Sequence, residues 1–261
     1  MQVVTGIFVS QIKAEQAVRK LQASGLRADR VTLLSPGEKG LKNLESVPMD
    51  STEQPGMGKA IGAVVGGAAG LTGGLAAVIP GVGPVAAIGL LGAAILSAAG
   101  ASLGALAGGS IENFMTEGLP EDEIFVYEDA LRKGRSVVIA LADDAAPARP
   151  VRELLKSEGA EAIDAARKEW WIGLRSAEQE HYLKSGRSFY DDENFYRMGF
   201  EAALHARTRC QEFDQVSAEM ASDVEELERQ HPGAEVADPF TRGYRRGREY
   251  YQRLCKEEKA A

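Results

Sequence analysis

Between Lys59 and Glu112 the chain carries no charged side chain, and Gly, Ala, Val, Leu and Ile make up almost the whole stretch. Glycines fall at Gly58, Gly62, Gly66, Gly70 and Gly74, each four residues apart. After Pro80-Gly81-Val82-Gly83-Pro84 small residues resume, with Gly92, Gly100, Gly104 and Gly108. Four-residue spacing places side chains on nearly one face of a helix. A face lined by glycine lets another backbone approach closely. The pattern predicts two helices, over 58–79 and 85–112, folded into a glycine-zipper hairpin at Pro80–Pro84, with close packing as the role of these glycines.

Two environments suit such a hairpin. At about 1.5 Å per residue, roughly 22 residues reach about 33 Å, near the ~30 Å of a bilayer's hydrocarbon layer. The second arm, with Ile88, Leu90, Leu91, Ile95, Leu96, Leu103 and Leu106, is apolar enough for lipid, whereas the first is mostly Gly and Ala. The alternative is a hairpin buried in the core of a binding module or in an oligomer interface. Glycine costs ~1 kcal/mol relative to alanine in a helix interior, so either setting must compensate by packing.

The flanks are polar. Over 261 residues the net charge is −8, which argues against a general nucleic-acid binder. Cys210 and Cys255 are too few for a disulfide framework and are expected as free thiols. No basic segment followed by an apolar core opens the chain, so no signal peptide is expected. The expected setting is cytoplasmic, with attachment to the inner membrane through the hairpin if that hairpin enters lipid.

In chain order, Val3–Val9 reads as a strand, Ser10 as a helix N-cap, Ile12–Leu21 as a helix stopping near Gly25, and Val31–Leu34 as a second strand. Gly118-Leu119-Pro120-Glu121-Asp122-Glu123 opens a helix to about Lys133, stopped by Gly134. Ser136–Leu141 is a continuous apolar strand, expected at a central position. A helix over Ala146–Ser157 and a weak strand near Ala162–Ile163 complete the pattern. Two βα halves (1–55 and 113–167), split by the hairpin (56–112), predict an α+β, ferredoxin-like domain with helices on one face of the sheet.

These segments resemble the bacterial general-stress domain of the heat-induced YflT type. The likeness runs through Val3–Phe8, Ala14–Val18, Asp29–Val31, Gly118–Glu123, Tyr127-Glu128 and Val137–Ile139. The resemblance implies a stress-associated protein without catalytic activity, and it brings no catalytic residues with it.

Residues 168–261 form an all-α domain in this reading, richer in aromatics and charge. Tyr196-Arg197-Met198-Gly199-Phe200-Glu201 recurs as Tyr244-Arg245-Arg246-Gly247-Arg248-Glu249, 48 positions later, and the echo reads as two related helix openings. Glycine inside such a helix permits close contact with a neighbour. Asp191-Asp192-Glu193 reads as the solvated cap of a helix beginning near Asn194. Trp170-Trp171 serves equally as an interfacial anchor or a core pair. Three scattered histidines complete no metal-ligand set, and no Gly-Lys-Ser/Thr phosphate loop or other cofactor motif is present. Arg242, Arg245, Arg246 and Arg248 form one basic patch, a contact for lipid headgroups or for the acidic face of a partner. The sequence thus predicts a non-enzymatic structural protein whose hairpin inserts into a membrane or drives homo-oligomerisation.

Overall fold

The computed structural model describes residues 2–36, 74–79, 82–88, 122–143, 146–209 and 211–260. The chain forms a mixed α+β region followed by an all-α region. It divides into two compact units: Met1–Pro120 with Val126–Ala166, and Glu121–Phe125 with Arg167–Ala261.

The first unit is built on one antiparallel sheet. Its strands are β1 (Gln2–Phe8), β2 (Val31–Pro36), β3 (Gly74–Ile79), β4 (Gly83–Ile88) and β5 (Ser136–Ala142), in spatial order β1-β5-β2-β4-β3. Helix α1 (Gln11–Ala23) links β1 to β2, which run parallel with β5 between them and antiparallel to both. Ser10 occupies the N-cap of α1 with extended backbone, but its side chain makes no capping bond. All seven residues of β5 are buried, as its uninterrupted apolar run predicts. Helix α2 (Ile124–Arg132) ends where Gly134 adopts a positive φ of 76°, a left-handed conformation that suits glycine, and Arg135 N–H returns to the Ala130 carbonyl.

One face of the sheet packs against α1 and α3 (Ala148–Ser157): Val4, Phe8, Val31, Leu33, Val138 and Ala140 meet Ala14, Ala17, Leu21, Val151 and Leu155. The opposite face is buried too, through Ile7, Leu34, Val137, Ile139 and Leu141. There Tyr127 of α2 reaches the sheet, its hydroxyl 3.0 Å from Thr5 Oγ1. The expectation of helices on one face only is therefore corrected. The weak strand expected near Ala162–Ile163 reduces to one bridge, Ile7 with Glu161.

The larger correction concerns the hairpin. Residues 74–79 and 85–88, expected inside two helices, and 83–84, expected in the turn between them, form two strands paired antiparallel with each other, and β4 pairs with β2. Gly74, assigned to helix packing, opens β3. Gly58, Gly62, Gly66, Gly70, Gly92, Gly100, Gly104 and Gly108 lie outside the described residues. Among the described residues no helix is long and apolar enough to cross a membrane, so the membrane-inserted helical hairpin is withdrawn. A short apolar run bounded by Pro and Gly reads as a buried strand as readily as a helix. Pairing with β2 decides the matter, because it satisfies the backbone without the cost of glycine in a helix.

Val85, Ala86 and Ala87 of β4 are buried, Val85 completely. Val85→Asp would place an unpaired carboxylate there and is expected to cost about 3–5 kcal/mol. Urea unfolding of the variant measures this; unchanged stability would mean that β4 contributes nothing to the sheet.

Candidate functional site: an arginine-lined cleft

The second unit contains two antiparallel helical hairpins. The first joins α4 (Ile163–Leu183) to α5 (Phe189–Ala202); the second joins α6 (Phe213–Gln230) to α7 (Ala237–Ala260). Helices α5 and α7 begin 48 positions apart, the same interval that separates the two Tyr-Arg-x-Gly-x-Glu segments. Those segments lie within the helices rather than at their openings, and α5 begins at Phe189 rather than near Asn194.

The echo exists because α5 and α7 touch backbone to backbone. A Cβ built on Gly199 would land on the Phe240 carbonyl, one on Gly243 would strike the Tyr196 carbonyl, and one on Gly247 would strike the Phe200 carbonyl. Only hydrogen fits at these three positions. Beside this seam the aromatic side chains stack. Trp170 and Trp171 are buried and pack on Phe200, with ring centroids 5.9 and 5.8 Å away, and Tyr182 packs on Tyr196 at 4.9 Å. The tryptophan pair is therefore a core element of this unit.

Two buried tyrosines are each locked by a carboxylate and an arginine. Tyr182 donates to Asp192 Oδ2 at 2.7 Å, and Arg187 grips the same carboxylate with Nε at 2.7 Å and Nη2 at 3.1 Å. Tyr196 donates to Glu178 Oε2 at 2.8 Å, and Arg246 grips that carboxylate at 2.9 and 3.2 Å. Two-pronged arginine pairs of this kind are geometrically specific. Burial raises the pKa of both phenols, so they stay protonated donors. Burial alone would raise Asp192, but its bonds from Arg187 and Tyr182 hold it below the usual carboxylate range. Glu193 is likewise held low by Arg175, which grips it at 2.7 and 2.6 Å. Asp192 and Glu193 thus serve two ion pairs, while Asp191 stays exposed in the first turn of α5.

A cleft of about 190 Å³ is lined by Tyr182, Tyr196, His181, Ser185 and Glu249 together with Arg242, Arg245 and Arg246. Three members of the predicted basic patch therefore meet in one cleft. The fourth, Arg248, is bonded instead to Glu212, the N-cap of α6. Arg246 is committed to Glu178 and Glu249, and Arg242 to Asp238 at 2.7 Å. Arg245 is exposed and makes no ion pair among the described residues, and His181 is exposed beside it. The sequence does not single out Glu178, and it suggests only a capping role for Asp192. Each is buried because a tyrosine and an arginine converge on it, and no local pattern announces that.

Among the described residues no three His, Cys, Asp or Glu side chains are placed to hold a metal ion. No family model, curated protein or solved structure matches the chain, so the likeness to the general-stress domain rests on the residues quoted for it.

Gly199→Ala is expected to melt the helical unit at lower temperature, its cost exceeding ordinary glycine-to-alanine effects because backbone must move. Gly173 of α4, where a methyl would meet nothing within 4 Å, is the control: Gly173→Ala should stabilise by about 0.5–1 kcal/mol. Calorimetry of both variants checks the contrast. A second prediction concerns acid. Burial lowers the pKa of His205 from 6.5 to about 4, against a smaller opposing pull from Asp122. The unfolded chain therefore binds the proton more readily. The stability held by the neutral ring is complete above about pH 6.5 and is lost progressively as pH falls toward 4, by roughly 3 kcal/mol. His205→Phe should flatten that part of the stability profile.

Proposed function

We propose that this chain is a non-catalytic regulatory binding module, with the β3–β4 hairpin built into its sheet and the arginine-lined cleft as its receptor for an acidic partner. A cavity of about 190 Å³ is smaller than the roughly 300–1,000 Å³ of ordinary small-molecule pockets and suits one acidic side chain of a protein partner. The observation that carries the reading is Arg245. It is exposed and has no ion pair among the described residues, in a cleft whose other arginines, Arg242 and Arg246, are held in place by carboxylates. Beside Arg245 the cleft is lined by the imidazole of His181 and by Ser185, whose hydroxyl donates to the Tyr182 carbonyl at 2.7 Å. Both phenols stay protonated, and the Ser185 hydroxyl is turned to the Tyr182 carbonyl, which favours recognition over nucleophilic chemistry.

We read the first unit as ferredoxin-like. The support is its split βαβ core, with β5 between parallel β1 and β2, and the bridge at Glu161 in the place of a closing strand. The hairpin then extends the sheet beyond β2 as an addition to that core. A stress-associated role remains the reading that the Val3–Phe8 and Gly118–Ile139 segments support.

The test uses the full chain and a fluorescein-labelled Glu/Asp-rich peptide, followed by anisotropy. Binding should weaken with salt and fall at least tenfold in Arg245→Glu while the circular dichroism spectrum and melting temperature stay unchanged. A wild-type chain that does not bind the peptide, or an Arg245→Glu variant that binds equally well, would sink this assignment.

A further inference from the structure

The sheet has two edges, and they differ. Hydrogen-bond parity can be followed across every strand. Pro36 pairs with Val85, and a proline has no N–H to exchange, so the bonded pairs between β2 and β4 are Ser35–Ala86 and Leu33–Ile88. Residues 85 and 87 of β4 therefore turn their backbone groups toward β3, and the bonded pairs there are Ala77–Val85 and Leu75–Ala87. The same alternation carried the other way, through β5, points Ile7 of β1 outward. At that position Ile7 does exchange both bonds with Glu161, at 3.0 and 2.8 Å. The β1 edge is thus partly closed. On β3 the alternation turns the N–H and C=O groups of Gly74, Ala76 and Val78 outward, and none of the described residues pairs with them.

Exposed edges are normally guarded by Lys, Pro, a bulge or a covering element. Gly74–Ile79 has no charge and no proline, and its register with β4 is continuous from end to end. An uncharged edge without proline, and without a pairing strand among the described residues, is a template for another strand. The chain as a whole carries −8, so two copies repel each other over most of their surface; from Ala60 to Ile111 neither copy has any charge to repel with.

We propose that two copies of this chain join edge to edge through β3, antiparallel about a two-fold axis passing beside Ala76, to make one continuous sheet. In that register Ala76 faces Ala76 of the second copy, and Gly74 faces Val78. Every outward N–H and C=O of the three residues then finds a partner, because the edge is self-complementary under a two-fold. The proposal is independent of the arginine-lined cleft.

The full chain is subjected to light scattering coupled to gel filtration, with three variants. The wild type is expected as a dimer. Ala76→Pro removes one outward N–H while leaving the β3–β4 ladder intact, and should give a monomer with an unchanged circular dichroism spectrum. In Ala76→Cys the two thiols face each other across a bonded pair, with Cα atoms about 5.5 Å apart, inside the disulfide range of about 4.4–6.8 Å. It should cross-link on mild oxidation, whereas Ala77→Cys, which faces residue 75 of the other copy, should not. A wild-type monomer at high concentration, a dimer that persists in Ala76→Pro, or equal cross-linking at 76 and 77 would each overturn the proposal. If Ala76→Pro fails to fold, the contrast between the two cysteine variants decides.

Discussion

The absence of three Cβ atoms governs the helical unit. At Gly199, Gly243 and Gly247 the backbones of α5 and α7 lie closer than any side chain permits. That closeness fixes where Tyr196 and Phe200 stand, and they in turn seat Trp170, Trp171 and Tyr182. The tyrosine hydroxyls, pressed into an apolar interior, need strong acceptors, and Glu178 and Asp192 supply them. These carboxylates need cations, and Arg246 and Arg187 supply those. Each step follows from the last, since a buried polar group is tolerated only when bonded and a buried charge only when paired. The cleft is the rim of this chain of requirements.

The α+β unit obeys a different constraint. Its sheet is buried on both faces, so β5 must be apolar at nearly every position, and after Ser136 it is. Of the polar atoms inside, Thr5 meets Tyr127, Ser35 lies 3.3 Å from Ser136, and the Thr32 hydroxyl has no hydrogen-bond partner among the described residues. Adding β4 beside β2 extends the same buried surface through Val85, Ala86 and Ala87.

The legible parts of the sequence were those where local pattern and tertiary setting agree. Strand β5, helix α1 and the glycine stops after α1 and α2 could be read because a single signal specifies each. Residues 74–88 misled because Leu75–Ile79 and Val85–Ile88 are apolar at every position, with neither the two-residue nor the 3.6-residue period to separate strand from helix; glycine spacing then favoured the wrong choice. The pull between glycine and close packing was real, but in the described residues it operates at Gly199, Gly243 and Gly247. The Tyr-Arg-x-Gly echo marked two of these sites, and nothing marked Gly243. The arginine patch was visible as composition; its division into three cleft residues and one tie to Glu212 was not, because that depends on which helix each guanidinium meets.

The 48-residue interval relates two hairpins of similar frame but unequal furnishing. Where the cleft has Arg242 and Arg246, the corresponding positions of the first hairpin hold Asn194 and Met198, and Tyr244, the counterpart of Tyr196, donates to the backbone carbonyls of Thr208 and Gln211. A scaffold repeated in tandem has thus kept its mould and specialised one half. The helical unit consequently counts to two in its frame but carries the Arg242 and Arg246 pair only once.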